Sequence, residues 1–491
     1  MQNMPEVKIG IVGVSRDCFP IELTRKRLAS VVEECRKLKL NIIPCSTIIE
    51  TEHDAIVAAA ELEHEGANAV AIYLGNFGPE GPTTIFAKTF GKPFMLCGAA
   101  EESRKTLMDG RGDALCGMLN ACLNVGLRNL KAHLPPMPIG LPPEIAGMIA
   151  RFFDIARVVI GVKHLKTFSF GPRPHDFYAC NAPIKPLYDL GVEVMENSEL
   201  DMLEQYKSVA GRKKEIEAIA SDMAGELGKG NKYPGKLLQL AQFELSLTTF
   251  FENNLGSRQY GVFANKCWPA FEKGFGFVPC FVNSRLASRG IPAACEVDIY
   301  GAVSEYMCQL ASQNPATLLD VNNSVPADIP IKDMKALSRP DLFMGFHCGN
   351  TPSCCLKGGC SMKYQLIMHR LMEPGKTPDI TCGTLEGTIK PSPVTMFRLQ
   401  SSLSNTLMSY AAEGRVLDAD PSSFGGIGVF GIKDFARFYR HIMLGKQFPH
   451  HAAIAFSHVG GILFDALRLL GVDDINTPRP AGMLYENENP F

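Results

Sequence analysis

Uninterrupted apolar runs in the first third of the chain, separated by stretches of helical periodicity, most restrict what this sequence can fold into. Residues 7–14 (VKIGIVGV) and 67–74 (ANAVAIYL) are almost entirely apolar, as expected for strands that are buried on both faces. Between them, residues 21–38 place their apolar side chains at helical spacing. Strands that alternate with helices in this way predict a doubly wound parallel sheet, which we expect over residues 1–165.

Two further regions follow from the same patterns. Residues 166–170 (KTFSF) and 260–263 (YGVF) predict strands of a second helix–strand series, so we expect a middle α/β domain over residues 166–325. Beyond it, glycine and proline become more frequent, and segments such as 394–399 (VTMFRL) alternate apolar and polar side chains. Such alternation is typical of antiparallel strands with one solvated face, and it predicts a C-terminal β-rich domain over residues 326–491.

Composition excludes several classes of partner. With 20% charged residues and a net charge of −2 over 491 residues, nothing favours nucleic acid or an anionic membrane surface. The apolar stretches are far too short for a transmembrane helix, and the first residues lack the basic and apolar regions of a signal peptide. The sixteen cysteines therefore predict reduced thiols in the cytoplasm.

Polar loops follow the first and third predicted strands. Arg16 follows the first of these strands and Asn76 the third. In open α/β sheets the carboxyl ends of parallel strands carry ligand-facing loops, so we predict that both residues face a ligand. Ordinary polar turns would explain the same residues and remain the alternative. Gly10 and Gly13 lack the third glycine of a dinucleotide-binding loop.

Four potential metal ligands lie beside apolar runs in the second half of the chain. Glu296, Asp320 and His347 each end such a run, and His451 belongs to a histidine pair. Taken alone, each is explained as a helix cap, a turn residue or a core histidine that has its hydrogen bonds. Together, two carboxylates and two imidazoles suit a divalent ion such as Mn²⁺. The set predicts a metal-assisted enzyme.

Two of the histidines, His450 and His451, are adjacent in the sequence. If the segment is a strand, His450 and His451 point to opposite faces, and only one of them reaches a given site. His458 is predicted to support a ligand imidazole by a hydrogen bond from behind.

These motifs, in this order, resemble the L-fucose isomerase and L-arabinose isomerase family. The resemblance rests on four short segments: Ala294-Cys295-Glu296, Leu319-Asp320-Val321, Gly345-Phe346-His347 and His450-His451-Ala452. It implies an aldose–ketose isomerase that acts through a cis-enediol, with Mn²⁺ held by Glu296, Asp320 and His451. His347 matches a ligand of the arabinose isomerase branch, whereas the aspartate at 320 matches the fucose isomerase branch.

The resemblance also implies roles for other residues. Glu296 and Asp320 would be the acid/base pair, with the order of their roles left open. The predicted substrate-binding residues are Arg16, Asn76, Lys266 and Trp268. The substrate would be a free or modified sugar, whether a deoxyhexose, a pentose or an anionic sugar such as sulfoquinovose. The assembly would be a homo-oligomer, most simply a hexamer whose active sites are shared between subunits.

Two other functions stay open at this point. A non-catalytic sugar-binding or sensor protein would use similar α/β domains but would not need converging carboxylates and imidazoles. A metal-dependent sugar aldolase or dehydratase would use a similar ligand set for a different bond-breaking step.

Overall fold

The chain divides into two compact units. The computed structural model describes residues 3–108, 110–334 and 336–490. The smaller unit, called the N-terminal unit here, comprises Pro5–Ile160 with Asp465–Val472, and the larger unit comprises Gly161–Phe464 and Asp473–Phe491 with Met1–Met4. Within the described ranges, no helix is both long and apolar enough to cross a bilayer. The domain boundaries near residues 165 and 325 stay predictions.

The N-terminal unit is built on a five-stranded parallel sheet. Its strands are β1 Ile9–Val14, β2 Ile42–Pro44, β3 Ala69–Leu74, β4 Phe94–Ala99 and β5 Ile139–Gly140. Its helices are α1 Ile21–Lys37, α2 Glu52–His64, α3 Glu80–Phe90, α4 Ala114–Leu127 and α5 Pro142–Lys163. The strand order is β2-β1-β3-β4-β5, with every pair parallel. This is the predicted doubly wound sheet.

Strand order also places the two predicted ligand-facing loops of this unit. The order reverses direction between β1 and β3, and ligands of doubly wound sheets bind at such a switch point. Arg16 follows β1 and Asn76 follows β3, so both loops lie at the switch point. A hydrogen bond joins the two loops: the backbone N–H of Arg16 donates to Asn76 Oδ1 at 2.9 Å.

The larger unit begins with a four-stranded parallel sheet in the order β7-β6-β8-β9. Its strands are β6 Leu165–Phe170, β7 Glu193–Asn197, β8 Tyr260–Ala264 and β9 Ala293–Ala294. The accompanying helices are α6 Lys185–Leu190, α7 Glu199–Ser208, α8 Lys213–Leu227, α9 Leu237–Asn254, α10 Phe271–Phe275, α11 Cys280–Ser288 and α12 Ile299–Ser312. A capping box of Ser198 and Asp201 starts α7.

A mixed, mostly antiparallel sheet follows. Its strands are β10 Thr317–Asn323, β11 Leu342–His347, β12 Ser361–Tyr364, β13 Cys382–Thr388, β14 Ser392–Ser401, β15 Leu407–Leu417, β16 Gly426–Gly431, β17 His451–Ala455 and β18 Asp474–Asn476. Its helices are α13 Leu366–Met372, α14 Phe435–Phe438 and α15 Gly460–Leu469, with π-helical turns over Tyr439–Leu444. Strands β16-β11-β10-β17-β14-β15 pair antiparallel in sequence, and a β15–β16 pairing closes them into a six-stranded barrel. The predicted fold class is confirmed.

One hydrophobic core joins the parallel sheet and the barrel of the larger unit. Phe168 and Phe263 from the sheet belong to the same buried cluster as Tyr410 and Phe430 from the barrel. Because these side chains pack together, the loop that follows β9 is held against the barrel. The residues that carry the candidate chemistry lie on these two elements.

Helix α12 carries a buried acid, Glu305. Glu305 is 2% exposed, its Oε2 has no hydrogen-bond partner, and burial raises its pKa to about 8 from 4.5. The folded protein therefore keeps a proton that the unfolded chain releases. This group's contribution to stability is complete below pH 4.5 and is lost as pH rises toward 8.

We expect Glu305→Gln to be more stable than the wild type at pH 8 and to show a flatter dependence of melting temperature on pH. Each unit of pKa shift corresponds to about 1.4 kcal/mol, so the gain at pH 8 should reach a few kcal/mol. Thermal melts at pH 5.5 and 8 measure it. Glu217→Gln, at an exposed position, is the matched control. If the melting temperature of Glu305→Gln depended on pH as that of the wild type does, ionisation of Glu305 would not be what destabilises the folded protein at high pH.

Candidate functional site

Glu296 lies on a strained segment directly after the short strand β9. Glu296 and Val297 have φ values of 52° and 58°, a left-handed conformation that is unusual for a non-glycine residue and rare for a β-branched one. The turn is held by a hydrogen bond from the Val297 amide to the Asn265 carbonyl. Strain of this kind persists where surrounding structure fixes it, and it is concentrated at functional sites. Here it turns the Glu296 carboxylate toward the barrel.

Asp320 and His451 face the same point because their strands pair. Asp320 on β10 lies directly opposite His451 on β17 in an antiparallel register, so both side chains project from one face. The sequence predicted that the strand ends at Asp320. It continues to Asn323, because its backbone pairing with β11 extends beyond Asp320. Asp320 therefore lies within a barrel strand and not at the end of a parallel one.

Four side chains converge at this point: Glu296, Asp320, His347 and His451. Glu296 Oε2 lies 3.4 Å from His451 Nε2 and 3.5 Å from His347 Nε2, and Asp320 Oδ1 lies 3.3 Å from His451 Nε2. Glu296 is 8% exposed, His347 2% and His451 1%. Glu296 Oε2, Asp320 Oδ1 and His451 Nε2 are buried without a hydrogen-bond partner. We call these four residues the central cluster.

The charges of the central cluster reinforce one another. Burial alone would raise the pKa of Glu296, but the adjacent imidazoles of His347 and His451 outweigh it and hold that pKa well below its usual range. In the same way His451 lowers the pKa of Asp320 against the effect of burial. Burial would lower the pKa of His451, yet its hydrogen bond to Asp298 and the nearby carboxylates of Asp320 and Glu296 raise it well above the ordinary value. Both carboxylates are therefore ionised at neutral pH.

A buried ion pair of Asp298 and Arg398 supports His451 at Nδ1, the ring nitrogen that faces away from Glu296 and Asp320. Neither residue was predicted from the sequence. His451 Nδ1 lies 2.8 Å from Asp298 Oδ2. Asp298 also accepts hydrogen bonds from both terminal nitrogens of Arg398, at 2.5 and 2.9 Å, and from the Gly301 amide at the start of α12 at 2.8 Å. Arg398 is fully buried. The supporting role predicted for His458 belongs to Asp298.

Two predictions about histidines are wrong. His458 lies elsewhere: its Nε2 is 2.9 Å from the Gly414 carbonyl, and its ring is half-exposed. His450 does not point away from the site, because β17 begins only at His451 and strand alternation does not extend to the residue before. The two rings are 4.3 Å apart, and His450 Nε2 lies 3.6 Å from Asp320 Oδ1.

Two of the predicted substrate-binding residues, Trp268 and Lys266, belong to the larger unit. Trp268 is half-buried, with its ring 6.5 Å from that of Phe177, which in turn lies 5.4 Å from the ring of His450. Lys266 is buried, donates to the Pro172 carbonyl at 2.8 Å and pairs with Glu199 at 3.2 Å. The substrate-binding roles of Trp268 and Lys266 stay predictions.

The other two belong to the N-terminal unit and form no part of the central cluster. Asn76 is buried. Its side-chain oxygen accepts hydrogen bonds from the backbone N–H groups of Arg16 and Gly78, and its side-chain nitrogen donates to the Ser15 hydroxyl. The Arg16 guanidinium lies over the ring of Phe77 at 5.1 Å. Asn76 thus fixes the shape of the two switch-point loops, and a substrate contact by Arg16 or Asn76 stays a prediction.

Two regions of the chain match models of one family of sugar isomerases. Residues 10–163 match the model described as fucose/sulfoquinovose isomerase, N-terminal domain. Residues 345–476, which contain His347 and His451, match the L-fucose isomerase, C-terminal domain. Together the two matches take in more than half of the chain. The chain belongs to the L-fucose isomerase-like family of sugar isomerases.

Individual relatives of this L-fucose isomerase-like protein agree with the domain matches. The sulfoquinovose isomerase of Alkalicoccus urumqiensis is 24% identical over 327 residues, which cover 65% of this chain and 66% of that protein. The sulfoquinovose isomerase of Priestia aryabhattai is 26% identical over 205 residues, or 39% of this chain and 43% of that protein. The match thus spans about two thirds of the first relative and less than half of the second.

Proposed function

We propose that this L-fucose isomerase-like protein is a metal-dependent aldose–ketose isomerase that acts on a free or modified sugar through a cis-enediol. The convergence of Glu296 Oε2, Asp320 Oδ1 and His451 Nε2, three buried atoms without hydrogen-bond partners, carries the proposal. A purely sugar-binding protein has no use for such a group, because leaving buried polar atoms unpaired is costly. Sugar isomerase relatives and domain models support the same reaction class.

The donor set fits a divalent ion. Glu296, Asp320 and His451 would hold it, since each presents an unpaired atom to one point. Two carboxylates and one imidazole suit Mn²⁺ better than a soft thiolate-binding metal. Asp298 is unsuited as a further ligand, because its oxygens already accept hydrogen bonds from Gly301, Arg398 and His451.

The residues of the chain supply proton transfer. Bound at this point, a divalent ion would polarise the sugar carbonyl and stabilise the enediolate. Glu296 and Asp320 are both ionised, and we propose that one takes the proton from C2 and gives it to C1, while the other takes the proton of the C2 hydroxyl and gives it to the oxygen on C1. Glu296 is the more buried of the two, with 11% of its side chain exposed against 20% for Asp320, so the Asp320 side is more open to solvent.

For the substrate, we propose a sugar of the classes handled by the matched families: L-fucose, L-arabinose or sulfoquinovose. Sulfoquinovose carries a sulfonate, and Lys266 and Arg16 are the two cations among the predicted substrate-binding residues. Each is already paired with a glutamate, Lys266 with Glu199 at 3.2 Å and Arg16 with Glu80 at 3.5 Å. A sulfonate must therefore displace a carboxylate or share its cation.

The proposed reaction is tested with chelated protein and a panel of the three sugars, with and without Mn²⁺, in deuterated water. Isomerisation that needs Mn²⁺ and leaves deuterium at the carbon next to the carbonyl is expected. Turnover without deuterium incorporation would favour hydride transfer. Binding without turnover would favour the sensor alternative, and cleaved or dehydrated products would favour the aldolase or dehydratase. Full activity after chelation contradicts metal dependence.

We further propose a cytoplasmic homo-oligomer, most simply the hexamer implied by the family, with active sites shared between subunits. A row of leucines on α4 supports self-association: Leu115, Leu119, Leu123 and Leu127 are 60–73% exposed. Helix α4 contains no charged residue. If a second copy of the helix packed antiparallel to the first, Leu115 would contact Leu127 of the partner subunit, and Leu119 would contact Leu123 of the partner subunit. Exposed apolar surface of this regularity marks an association site.

Leu123→Glu is expected to lower the molar mass in solution by disrupting this contact, because a carboxylate would be buried against leucines. Light scattering coupled to size exclusion measures the mass. Leu200→Glu, at another strongly exposed leucine on α7 (72%), is the matched control and should leave the mass unchanged. The same mass for both variants would show that α4 is not the contact.

A further inference from the structure

The two imidazoles of the central cluster differ in what lies behind them. His451 Nδ1 faces the carboxylate of Asp298 at 2.8 Å. That carboxylate already receives two N–H groups of Arg398, and it can only accept hydrogen bonds. His451 Nδ1 must therefore carry a hydrogen, which leaves Nε2, the nitrogen that faces Glu296 and Asp320, as the one able to offer a lone pair.

His347 has the opposite arrangement. The backbone N–H of Cys348 donates to His347 Nδ1 at 2.9 Å. A ring nitrogen that accepts a hydrogen bond carries no hydrogen, so the proton of His347 lies on Nε2. Nε2 is the atom that faces Glu296 Oε2 at 3.5 Å. If Nε2 instead bound a metal ion, Nδ1 would need a hydrogen, and that hydrogen would point at the Cys348 N–H.

We infer that the backbone and Asp298 fix the two imidazoles in opposite tautomers, so that His451 offers a lone pair to the metal ion whereas His347 offers an N–H to Glu296. His347 is thus a positioning residue for the Glu296 carboxylate and not a metal ligand. The inference rests on the proposed metal-dependent function for the role of His451. The tautomer of His347 follows from the Cys348 contact alone.

His347 and His451 therefore have different roles in the central cluster. The N–H of His347 faces Glu296 Oε2 at 3.5 Å and orients the carboxylate, while its other oxygen stays free to turn toward a substrate. The same N–H keeps negative charge on Glu296, which a base must retain before it accepts a proton. A second imidazole ligand would complete the coordination of an ion but would leave the Glu296 carboxylate without this donor.

Manganese binding to purified variants separates the two roles. The electron paramagnetic resonance signal of free Mn²⁺ reports binding without any turnover. We expect His451→Gln to weaken Mn²⁺ binding by more than about a hundredfold, because a ligand is lost. His347→Gln keeps an N–H donor and should lose only about tenfold in affinity, the lower end of the range typical of an outer partner. Equal losses in the two variants would overturn the inference.

Kinetics supply a second readout. His347→Ala should lower kcat with little change in Mn²⁺ affinity, and His347→Gln should recover part of the loss because its amide N–H replaces the imidazole N–H. A purely structural role would not distinguish the two variants by donor capacity, and equal kcat values would contradict the assignment. His369→Gln, on α13 with its Nε2 near the Lys376 carbonyl, is the control.

Neutron diffraction from metal-free crystals exchanged in deuterated water decides the tautomer of His347 even if the proposed metal dependence fails. Deuterium on Nε2 of His347 with none on Nδ1, together with deuterium on Nδ1 of His451, is the expected result. Deuterium on Nδ1 of His347 would overturn the inference whatever the metal experiments show. A wild type that binds no divalent ion would instead count against the proposed function.

Discussion

Glu296→Gln and Asp320→Asn should each lower kcat by about three orders of magnitude or more while the fold persists. Each substitution removes one negative charge from the proposed ion site and one group from proton transfer, which alone contributes ~10²–10⁴-fold. Both replacements keep the shape of the side chain, so packing is preserved. Initial rates with the sugar identified by the substrate panel, measured at saturating Mn²⁺, give the change.

Melting temperature and Mn²⁺ affinity, measured on the same samples, show whether a loss of rate comes from the site or from unfolding. Glu204→Gln and Asp189→Asn are matched controls, because both carboxylates lie on exposed helix surfaces (73% and 64%). They should leave kcat unchanged. If either Glu296→Gln or Asp320→Asn kept near-normal turnover, that carboxylate would have no part in proton transfer and the proposed acid/base pair would be wrong.

The parallel sheets could be predicted because their strands are buried on both faces. The run that becomes β1 is apolar at nearly every position, and β3 is the same, so strand and burial are read together. The barrel could be predicted as antiparallel from alternation within β14, but its closure could not, because it depends on the β15–β16 pairing between distant segments. Pairing partners leave little trace in a single sequence.

The four residues of the central cluster could be chosen from the sequence because carboxylates and histidines beside apolar runs are costly unless they are used. Asp298 was missed because a helix N-cap explains it completely, and it does cap α12. Arg398 was missed because a strand that alternates apolar and polar residues suggests a solvated face, whereas closure of the barrel buries that position. The direction in which the His450 side chain points depends on where β17 begins. Strand ends are the least predictable part of an element.

The ion pair behind His451 leads to the second large effect. Arg398→Met should destabilise the protein by about 3–5 kcal/mol, because it leaves the buried carboxylate of Asp298 without its cation. Thermal melting should show a drop of roughly 3–7 °C for a chain of this size. Activity should also fall, since Asp298 can then turn away from His451 Nδ1 and no longer fixes the ring.

Stability and positioning are separated by the double variant Asp298→Asn/Arg398→Met. Replacing both partners of a buried ion pair by neutral groups is often close to neutral, so at least half of the lost stability should return. The amide oxygen introduced by Asp298→Asn holds His451 less firmly than a carboxylate does, so Mn²⁺ affinity and kcat should stay low, by about tenfold or more. Full recovery of both stability and activity would mean that Asp298 and Arg398 serve only to fill the barrel. Recovery of stability alone would mean that this charged pair is retained for the orientation of His451, at the expense of a simpler apolar core.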